Sequence, residues 1–293
     1  MKALIFGSRG FVGPHLEDRL KELEYDVYEF DLKLGNDIRD YEQVRTAIEK
    51  YQPDEIYHLA AMAYVVESNL DPQRAIDVHL RGAVNILEAV KRLGVSPYIH
   101  LASTSEEYGY TEDVAIDETS PTTPTTVYGA TKNAMTNIAL TYKDLHIVIT
   151  RAFNHLGVGQ GPQPVSASFA RQIALIERGE LDVLRHGNLE AMRNFTDVKD
   201  IVRAYTEVIK CAPGIYNICS TSNVTMGELL DMFLAEAKVP VRTEVDERFY
   251  REGVNAWPTP SAEKIRHACG WKPRVALDNS IREIMNDWRE RTI

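Results

Sequence analysis

Apolar and polar residues alternate along the first half of the chain in a pattern that predicts strands and helices in turn. Short apolar runs predict strands at residues 3–6, 27–30, 55–59, 97–101 and 147–150. Amphipathic segments between them predict helices, the longest over residues 75–93. Repeated β-α-β units with right-handed crossovers leave few topologies. We therefore predict an α/β fold with a Rossmann-type, doubly wound parallel sheet.

A glycine-rich turn follows the first predicted strand. Gly7, Gly10 and Gly13 stand at three-residue spacing between this strand and an amphipathic segment that runs to Leu23. Glycines at such a turn let the backbone approach a pyrophosphate, whose charge is met by the N–H groups and the dipole of the helix start. The spacing alone is a weak signal, but its position after an amino-terminal strand favours a dinucleotide site.

Asp31 ends the second predicted strand, 18 residues beyond Gly13 and about where an acid binds a ribose 2′-hydroxyl. Its charge disfavours a 2′-phosphate, whereas Arg9 in the glycine turn could bind one. The balance favours NAD as cofactor, with NADP possible. Ala60 and Ala61 offer a surface of small residues for a flat cofactor ring. The predicted cofactor-binding set is Gly7, Arg9, Gly10, Phe11, Val12, Gly13, Asp31, Asp37, Ile38, Leu59, Ala60, Ala61, Tyr128 and Lys132.

Tyr128 and Lys132 are four residues apart on a predicted helix, so they share a face. A free phenol has a pKa of about 10 and a nearby cation favours the phenolate, so the pair could exchange a proton with a hydroxyl or carbonyl group. Such a pair is common by chance and decides nothing alone. Thr104 follows the fourth predicted strand, and the carboxyl ends of parallel strands meet at the ligand crevice. We therefore expect Thr104 in the same cleft as the cofactor.

The regular alternation lapses after residue 150, and residues 157–164 form a loop rich in glycine and proline. Further helices are predicted at 166–177, 198–210, 226–237 and 277–289. We predict a dinucleotide-binding Rossmann domain over residues 1–156, which later segments between 187 and 217 could join. Residues 157–293 are predicted to form a smaller mixed α/β substrate-binding region at the C-terminal end.

These motifs together resemble the extended short-chain dehydrogenase/reductase family of NAD-dependent epimerases and dehydratases. The downstream runs 151–157, 187–198, 216–220 and 270–273 are most similar to its GDP-6-deoxy-D-mannose reductase branch, with the GDP-mannose 4,6-dehydratases next. The resemblance implies that Thr104, Tyr128 and Lys132 are catalytic and that Glu106 stands where dehydratases keep an acid–base residue. It also implies that Asn154, Arg193 and Arg251 bind the nucleotide diphosphate of the substrate.

Some positions depart from the family pattern. Ala152 replaces a proline, Asn194 an aspartate and His79 an asparagine, while Ser168 falls where the dehydratases carry a lysine. The run 252–254 lacks the proline and the nucleotide-binding acid of relatives. These departures bear on the GDP part of the substrate more than on the chemistry.

The resemblance implies NAD(P)H-dependent reduction of a nucleotide-linked 4-keto-6-deoxyhexose, with GDP as the expected nucleotide. One alternative is a nucleotide-sugar 4,6-dehydratase or 4-epimerase that retains NAD and returns the hydride. Another is a non-catalytic regulatory protein that binds a dinucleotide. Thr104, Tyr128 and Lys132 count against the latter, because binding alone needs no proton donor.

The composition of the chain argues against several classes of binding partner. A net charge of -10 argues against nucleic acid or an anionic membrane as the main partner. No stretch reaches the roughly 18 apolar residues of a membrane span, and we predict a cytoplasmic protein. The three cysteines and eight histidines show no ligand-like spacing, so we expect reduced thiols and no metal. Apolar positions on the helices of residues 75–93 and Tyr128, which relatives pair across a subunit interface, predict a homodimer.

Overall fold

The computed structural model of the protein describes residues 1–109, 115–221, 223–249 and 259–291. Its strands are β1 (Lys2–Phe6), β2 (Asp26–Phe30), β3 (Glu55–His58), β4 (Tyr98–Thr104), β5 (Ala115–Ile116), β6 (Ile147–Ala152), β7 (Asn154–Leu156), β8 (Leu184–His186), β9 (Met192–Asp197), β10 (Gly214–Ile218), β11 (Asn223–Thr225), β12 (Thr243–Val245) and β13 (Thr259–Pro260). Its helices are α1 (Val12–Glu22), α2 (Tyr41–Tyr51), α3 (Val65–Leu70), α4 (Pro72–Ile76), α5 (Gly82–Leu93), α6 (Val127–Ala139), α7 (Val165–Glu177), α8 (Val198–Val208), α9 (Met226–Ala235), α10 (Glu263–Cys269) and α11 (Leu277–Arg291). Single turns of 3-10 helix lie at Leu32–Leu34, Ser105–Glu107 and Glu247–Phe249.

Six parallel strands form the central sheet in the order β10-β6-β4-β3-β1-β2. The order reverses beside β1, whose neighbours are β2 on one side and β3 on the other. Ligands of doubly wound sheets bind outside the carboxyl ends of the strands at such a switch point. The predicted Rossmann-type sheet is confirmed, and its carboxyl edge is where the glycine turn, Ala60 and Thr104 lie.

The sheet is covered on both faces by helices, and its central strands are buried on both sides. Every residue of β3 and β6 is buried. One face packs against α2, α5 and α6 through residues such as Val44, Ile86 and Met135. The other packs against α1, α8 and α10 through Leu16, Ile201 and Ile265. These layers leave the carboxyl ends of the strands as the open edge.

The second half of the chain contributes to two layers. Its α7, α9 and α11 enclose a separate apolar core around residues such as Phe169, Phe233 and Ile284. In contrast, β10 joins the central sheet, and α8 and α10 pack against it. The sequence did not predict this position for α10. The reason is packing, since Ile265 and Trp271 are buried in the same cluster as α8 and the Trp271 indole N–H donates to the Asp200 carbonyl at 3.1 Å.

The long predicted helix at residues 75–93 begins earlier and contains a distortion. It comprises α4, a π turn at Asp77–Arg81, and α5. A π turn inserts an extra residue into the helical turn and often occurs at functional sites. Here it contains the buried His79. Among the described residues, no helix is both long enough and apolar enough to cross a membrane.

Candidate active site

The glycine turn leaves a concave backbone surface at the end of β1. A side chain at Gly7, whose φ is +89°, would place Cβ 2.5 Å from the Ala60 nitrogen, and one at Gly13 would come within 2.1 Å of the Ser8 carbonyl oxygen. A Cβ at Gly10 would meet only the Gly7 carbonyl, at 3.4 Å. Gly7 and Gly13 are therefore required by packing, whereas Gly10 leaves open space. This division is the one that a dinucleotide fold assigns to turn, ligand approach and helix packing.

The amino terminus of α1 is open to an anion. Phe11 occupies the N-cap position, and its side chain makes no capping hydrogen bond. No acidic residue lies in the first turn. The first backbone N–H groups of a helix lack partners within the helix and can bind phosphate oxygens. The residues present therefore fit the pyrophosphate of a dinucleotide. The Phe11 ring itself stacks on His155, with centroids 5.9 Å apart.

Asp31 closes the turn from the other side. Its two carboxylate oxygens accept the backbone N–H groups of Arg9 and Lys33, at 2.9 and 2.8 Å. Each oxygen keeps a lone pair for a ribose hydroxyl. The Arg9 guanidinium, which sequence reasoning left free for a phosphate, is instead paired with Glu29 at 2.6 Å. Sequence reasoning did not single out Glu29.

The other predicted cofactor residues have different surroundings. Ala60 and Leu59 follow β3, and both their N–H groups donate to the Phe6 carbonyl, which holds them against the glycine turn. Ala61 is half-buried beside them. Asp37 is paired with Arg39 at 2.5 Å, which lowers the pKa of that carboxyl. Ile38 is buried against α5 and its carbonyl accepts from Asn85 at 2.9 Å.

The helix α6 places Tyr128 at the carboxyl edge of β4. Thr126 caps this helix by accepting the N–H of Gly129 at 3.0 Å. A Cβ at Gly129 would lie 2.4 Å from the Glu106 carbonyl oxygen, so glycine is needed for α6 to approach this turn. Tyr128 lies close enough to Thr104, the last residue of β4, for the Thr104 hydroxyl to lower the pKa of the phenol. The fold therefore brings Thr104, Glu106 and Tyr128 together.

Lys132 lies one turn along α6 and is 2% exposed. Its ammonium donates to the Ala102 carbonyl at 2.8 Å, on the strand that ends at Thr104. Burial lowers the pKa of Lys132 from its ordinary 10.5 to about 8, although the Glu107 carboxylate acts against this. The ammonium is thus held by a fixed backbone dipole beside the catalytic edge.

The effect on Tyr128 differs from the one expected from sequence. The sequence predicts that Lys132 lowers the pKa of the phenol. In the structure burial raises the pKa of Tyr128 to about 12, and the carboxylates of Glu106 and Glu107 add to this, against the hydrogen bond from Thr104. Desolvation is the largest cause of the shift, and Lys132 is not among its causes. Tyr128 is therefore a protonated phenol at neutral pH.

A buried ionic network under the site was missed by sequence reasoning. Glu107 is fully buried and pairs with Arg151 at 2.8 Å. It also accepts from Thr136 of α6 at 2.6 Å and from Ser103 of β4. In the sequence, the available signal was a charged residue, Arg151, within an apolar strand. Its partner Glu107 follows a different strand, and only the β4/β6 register, which sets Ser103 beside Arg151, brings the two charges together.

The fold also brings His79 to the site, where the sequence did not predict it. Its Nε2 accepts the Met62 N–H at 2.9 Å, and its Nδ1 lies 2.8 Å from Thr131 Oγ1 on α6. Its ring meets that of Tyr128 edge-on, with centroids 5.6 Å apart. Burial, with a contribution from Lys132, lowers the pKa of His79 to about 3, so it is neutral. Sequence reasoning noted His79 only as a departure from the family asparagine.

The predicted substrate residues lie along the strands that leave the sheet. Asn154 is exposed at the start of β7. Arg193 on β9 is half-buried, and its guanidinium donates to the Met192 carbonyl at 2.7 Å. Arg251 and the run 252–254 lie outside the described residues. In the described part of the chain, no cluster of three histidine, cysteine, aspartate or glutamate side chains could hold a metal ion.

Comparison with known proteins shows similarity along nearly the whole chain. GDP-6-deoxy-D-mannose reductase of Pseudomonas aeruginosa is 29% identical, over 99% of this chain and 98% of the relative. The structure of RMD from the same organism complexed with NADPH matches with a TM-score of 0.90 at 28% identity, over 99% of both chains. UDP-glucose 4-epimerase of Thermus thermophilus in complex with NAD matches with a TM-score of 0.86 at 28% identity, over 99% of both chains. A family model described as GDP-mannose 4,6 dehydratase matches residues 29–284, so the chain belongs to that family, as its motifs predicted.

Proposed function

We propose that this protein is an NAD(P)H-dependent reductase of a nucleotide-linked 4-keto-6-deoxyhexose, with GDP as the nucleotide. The observation that carries the proposal is the placement of Thr104 beside Tyr128 at the sheet edge that also holds the glycine turn. The similarity to GDP-6-deoxy-D-mannose reductase along nearly the whole chain supports the substrate class. Relatives that bind NADPH and NAD support an NAD(P)-dependent enzyme.

Each catalytic side chain has a defined task in this reaction. When bound, the reduced nicotinamide supplies a hydride to the C4 carbon of the keto-sugar. Tyr128 donates its phenolic proton to the C4 oxygen, and Thr104 hydrogen-bonds the same oxygen as negative charge develops. Lys132 places a positive charge beneath Tyr128, which stabilises the phenolate left after proton donation. The carbonyl of Ala102 fixes that ammonium.

The protonation state of Tyr128 favours reduction. A carbonyl reduction consumes one proton at oxygen, so the residue must hold a proton at the start. Burial, with Glu106 and Glu107, keeps the pKa of Tyr128 at about 12, which leaves the phenol protonated at neutral pH. A dehydratase or epimerase begins by oxidising a hydroxyl, which requires the same phenol to act first as a base.

A 4,6-dehydratase is the second candidate, and Glu106 is the observation that favours it. Removal of water across C5 and C6 needs an acid–base residue besides Tyr128. The Glu106 carboxylate lies near enough to the phenol to raise its pKa, and the backbone N–H of Glu106 donates to Thr104 Oγ1 at 3.2 Å. The residue type and position of Glu106 therefore suit both reactions, and activity on the two substrates separates them.

The test offers two substrates to the purified protein. We expect oxidation of added NADH or NADPH, followed by absorbance, with a 4-keto-6-deoxy nucleotide-sugar and no reaction with GDP-mannose alone. Glu106→Gln should retain reductase turnover within about threefold. A 4-keto product formed from GDP-mannose without net change in cofactor would instead establish the dehydratase and would assign Glu106 to the catalytic set.

Two further parts of the proposal are the residues that bind the nucleotide diphosphate and the assembly of the protein as a homodimer. Asn154 and Arg193 are proposed to bind the nucleotide diphosphate together with Arg251. A homodimer is proposed from exposed apolar residues on α3, where Leu70 is 81% and Val66 is 53% exposed. The stripe of α5 that suggested a dimer in the sequence is buried within the chain instead, because it packs on the sheet and on α2.

A further inference from the structure

A second carboxylate, Glu29, lies beside Asp31 at the adenosine end of the proposed cofactor site. Glu29 and Asp31 are two residues apart in extended backbone, so their side chains lie on the same face. Asp31 is the residue expected to bind the ribose 2′-hydroxyl. Both acids contact Arg9. The Asp31 carboxylate accepts the Arg9 backbone N–H at 2.9 Å, and the Glu29 carboxylate pairs with the Arg9 guanidinium at 2.6 Å.

Arg9 is the cation best placed to receive a 2′-phosphate. Its side chain is 43% exposed, and it extends from the glycine turn next to Asp31. A guanidinium binds phosphate through two parallel hydrogen bonds, but the same fork is satisfied by a carboxylate. The nearby Lys33 ammonium is already bound to the Arg9 carbonyl at 2.9 Å.

Glu29 is well suited to hold this guanidinium. Its side chain is 23% exposed, and its Oε2 carries the bond to Arg9. Its Oε1 is buried without a hydrogen-bond partner among the described residues. A carboxylate with one unpaired oxygen depends on Arg9 as its counter-charge. A bound 2′-phosphate would have to take Arg9 away from Glu29 and would lie next to two carboxylates.

We propose that Glu29 is a specificity-determining residue that makes the enzyme favour NADH by holding Arg9 away from the 2′-position. This inference rests on the proposed function, because it needs a dinucleotide in the site. Asp31 and Glu29 have separate roles: Asp31 accepts the 2′-hydroxyl of NADH, and Glu29 withholds the cation that NADPH needs. Loss of Glu29 frees the Arg9 fork and removes one negative charge.

The experiment measures the dissociation constants of NADH and NADPH by nucleotide fluorescence, without sugar substrate. Wild type is expected to bind NADH at least as tightly as NADPH. Glu29→Gln and Glu29→Val should each tighten NADPH by about tenfold or more and change NADH by less than about threefold. Adding Arg9→Met to either variant should abolish the gain. The matched control is Glu42→Gln, which breaks a similar pair with Arg45 on the surface of α2 and should change neither constant.

The outcomes separate the two claims. NADH binding with an unchanged NADPH to NADH ratio in both Glu29 variants would overturn this inference and leave the reductase standing. A gain that survives Arg9→Met would also overturn it, because the arginine would then have no part in the effect. Failure of the wild type to bind either dinucleotide would overturn the proposed function and this inference together.

Discussion

Lys132 is proposed as a catalytic residue, and the fold buries it at a cost in stability. The side chain is 2% exposed, and its pKa falls from 10.5 to about 8. Each tenfold change in an equilibrium constant corresponds to about 1.4 kcal/mol, so keeping the ammonium charged in the folded state costs about 3 kcal/mol at neutral pH. We predict that Lys132→Met stabilises the protein while it abolishes turnover.

The size of the gain depends on what the ammonium now binds. Methionine fills a similar volume without a charge to desolvate, but it loses the hydrogen bond to the Ala102 carbonyl, worth about 1.5 to 3 kcal/mol for a charged donor. The net gain at pH 7 should therefore lie between nearly zero and about 2 kcal/mol.

The pH dependence gives the sharper test. A lysine whose folded pKa is below its unfolded value destabilises the fold fully below the folded pKa, because the unfolded chain then binds the proton more tightly. The penalty fades as pH rises from about 8 to 10.5, where both states become neutral. The free energy of unfolding of wild type, relative to that of Lys132→Met, should therefore increase by about 2 kcal/mol between pH 7 and pH 10.

Urea unfolding of both proteins at pH 7, 8, 9 and 10 measures this difference. The exposed Lys143→Met is the matched control, and its difference from wild type should stay constant across the same range. A Lys132→Met difference that is equally constant would refute the reasoning, since it would mean that the ammonium is not desolvated. The test needs no substrate and is independent of the proposed reaction.

Three further predictions concern chemistry, assembly and the buried network. Tyr128→Phe should lower turnover by about 100-fold or more in steady-state kinetics with cofactor affinity nearly unchanged, and retention of most activity would exclude Tyr128 as the proton donor. Leu70→Asp should convert a dimer to a monomer in light scattering, whereas Val239→Asp, at an exposed apolar position in the other region, should not; one chain mass for wild type would contradict this. Arg151→Met should lower the free energy of unfolding by about 3 to 5 kcal/mol in urea, because it leaves the Glu107 carboxylate buried and unpaired, and adding Glu107→Gln should recover much of that loss; an unchanged midpoint would refute the pairing.

Much of the fold and the core of the site follow from local sequence. Alternating apolar runs and amphipathic segments determine strands and helices, because each element must bury one face or both. Glycine is a local requirement at Gly13, whose Cβ would overlap Ser8, and at Gly7, whose φ is +89°, whereas the approach of Ala60 to Gly7 is a tertiary contact. Tyr128 and Lys132 share a helix face through spacing alone.

Other features depend on which elements become neighbours. The Glu107–Arg151 pair requires the β4/β6 register, and the Arg9–Glu29 pair requires that β1 and β2 be adjacent. The protonation of Tyr128 depends on how deeply α6 packs against the Glu106 turn, which no spacing predicts.

The apolar faces of the helices also depend partly on the sequence and partly on tertiary packing. The sequence determined that the helix around residues 75–93 has an apolar stripe, but the tertiary structure decided that this stripe faces the sheet and α2 while Leu70 remains exposed. Periodicity determines which residues of a helix share a face. What covers that face, and therefore which charges are desolvated and which side chains are left for a partner, is decided only when distant segments pack together.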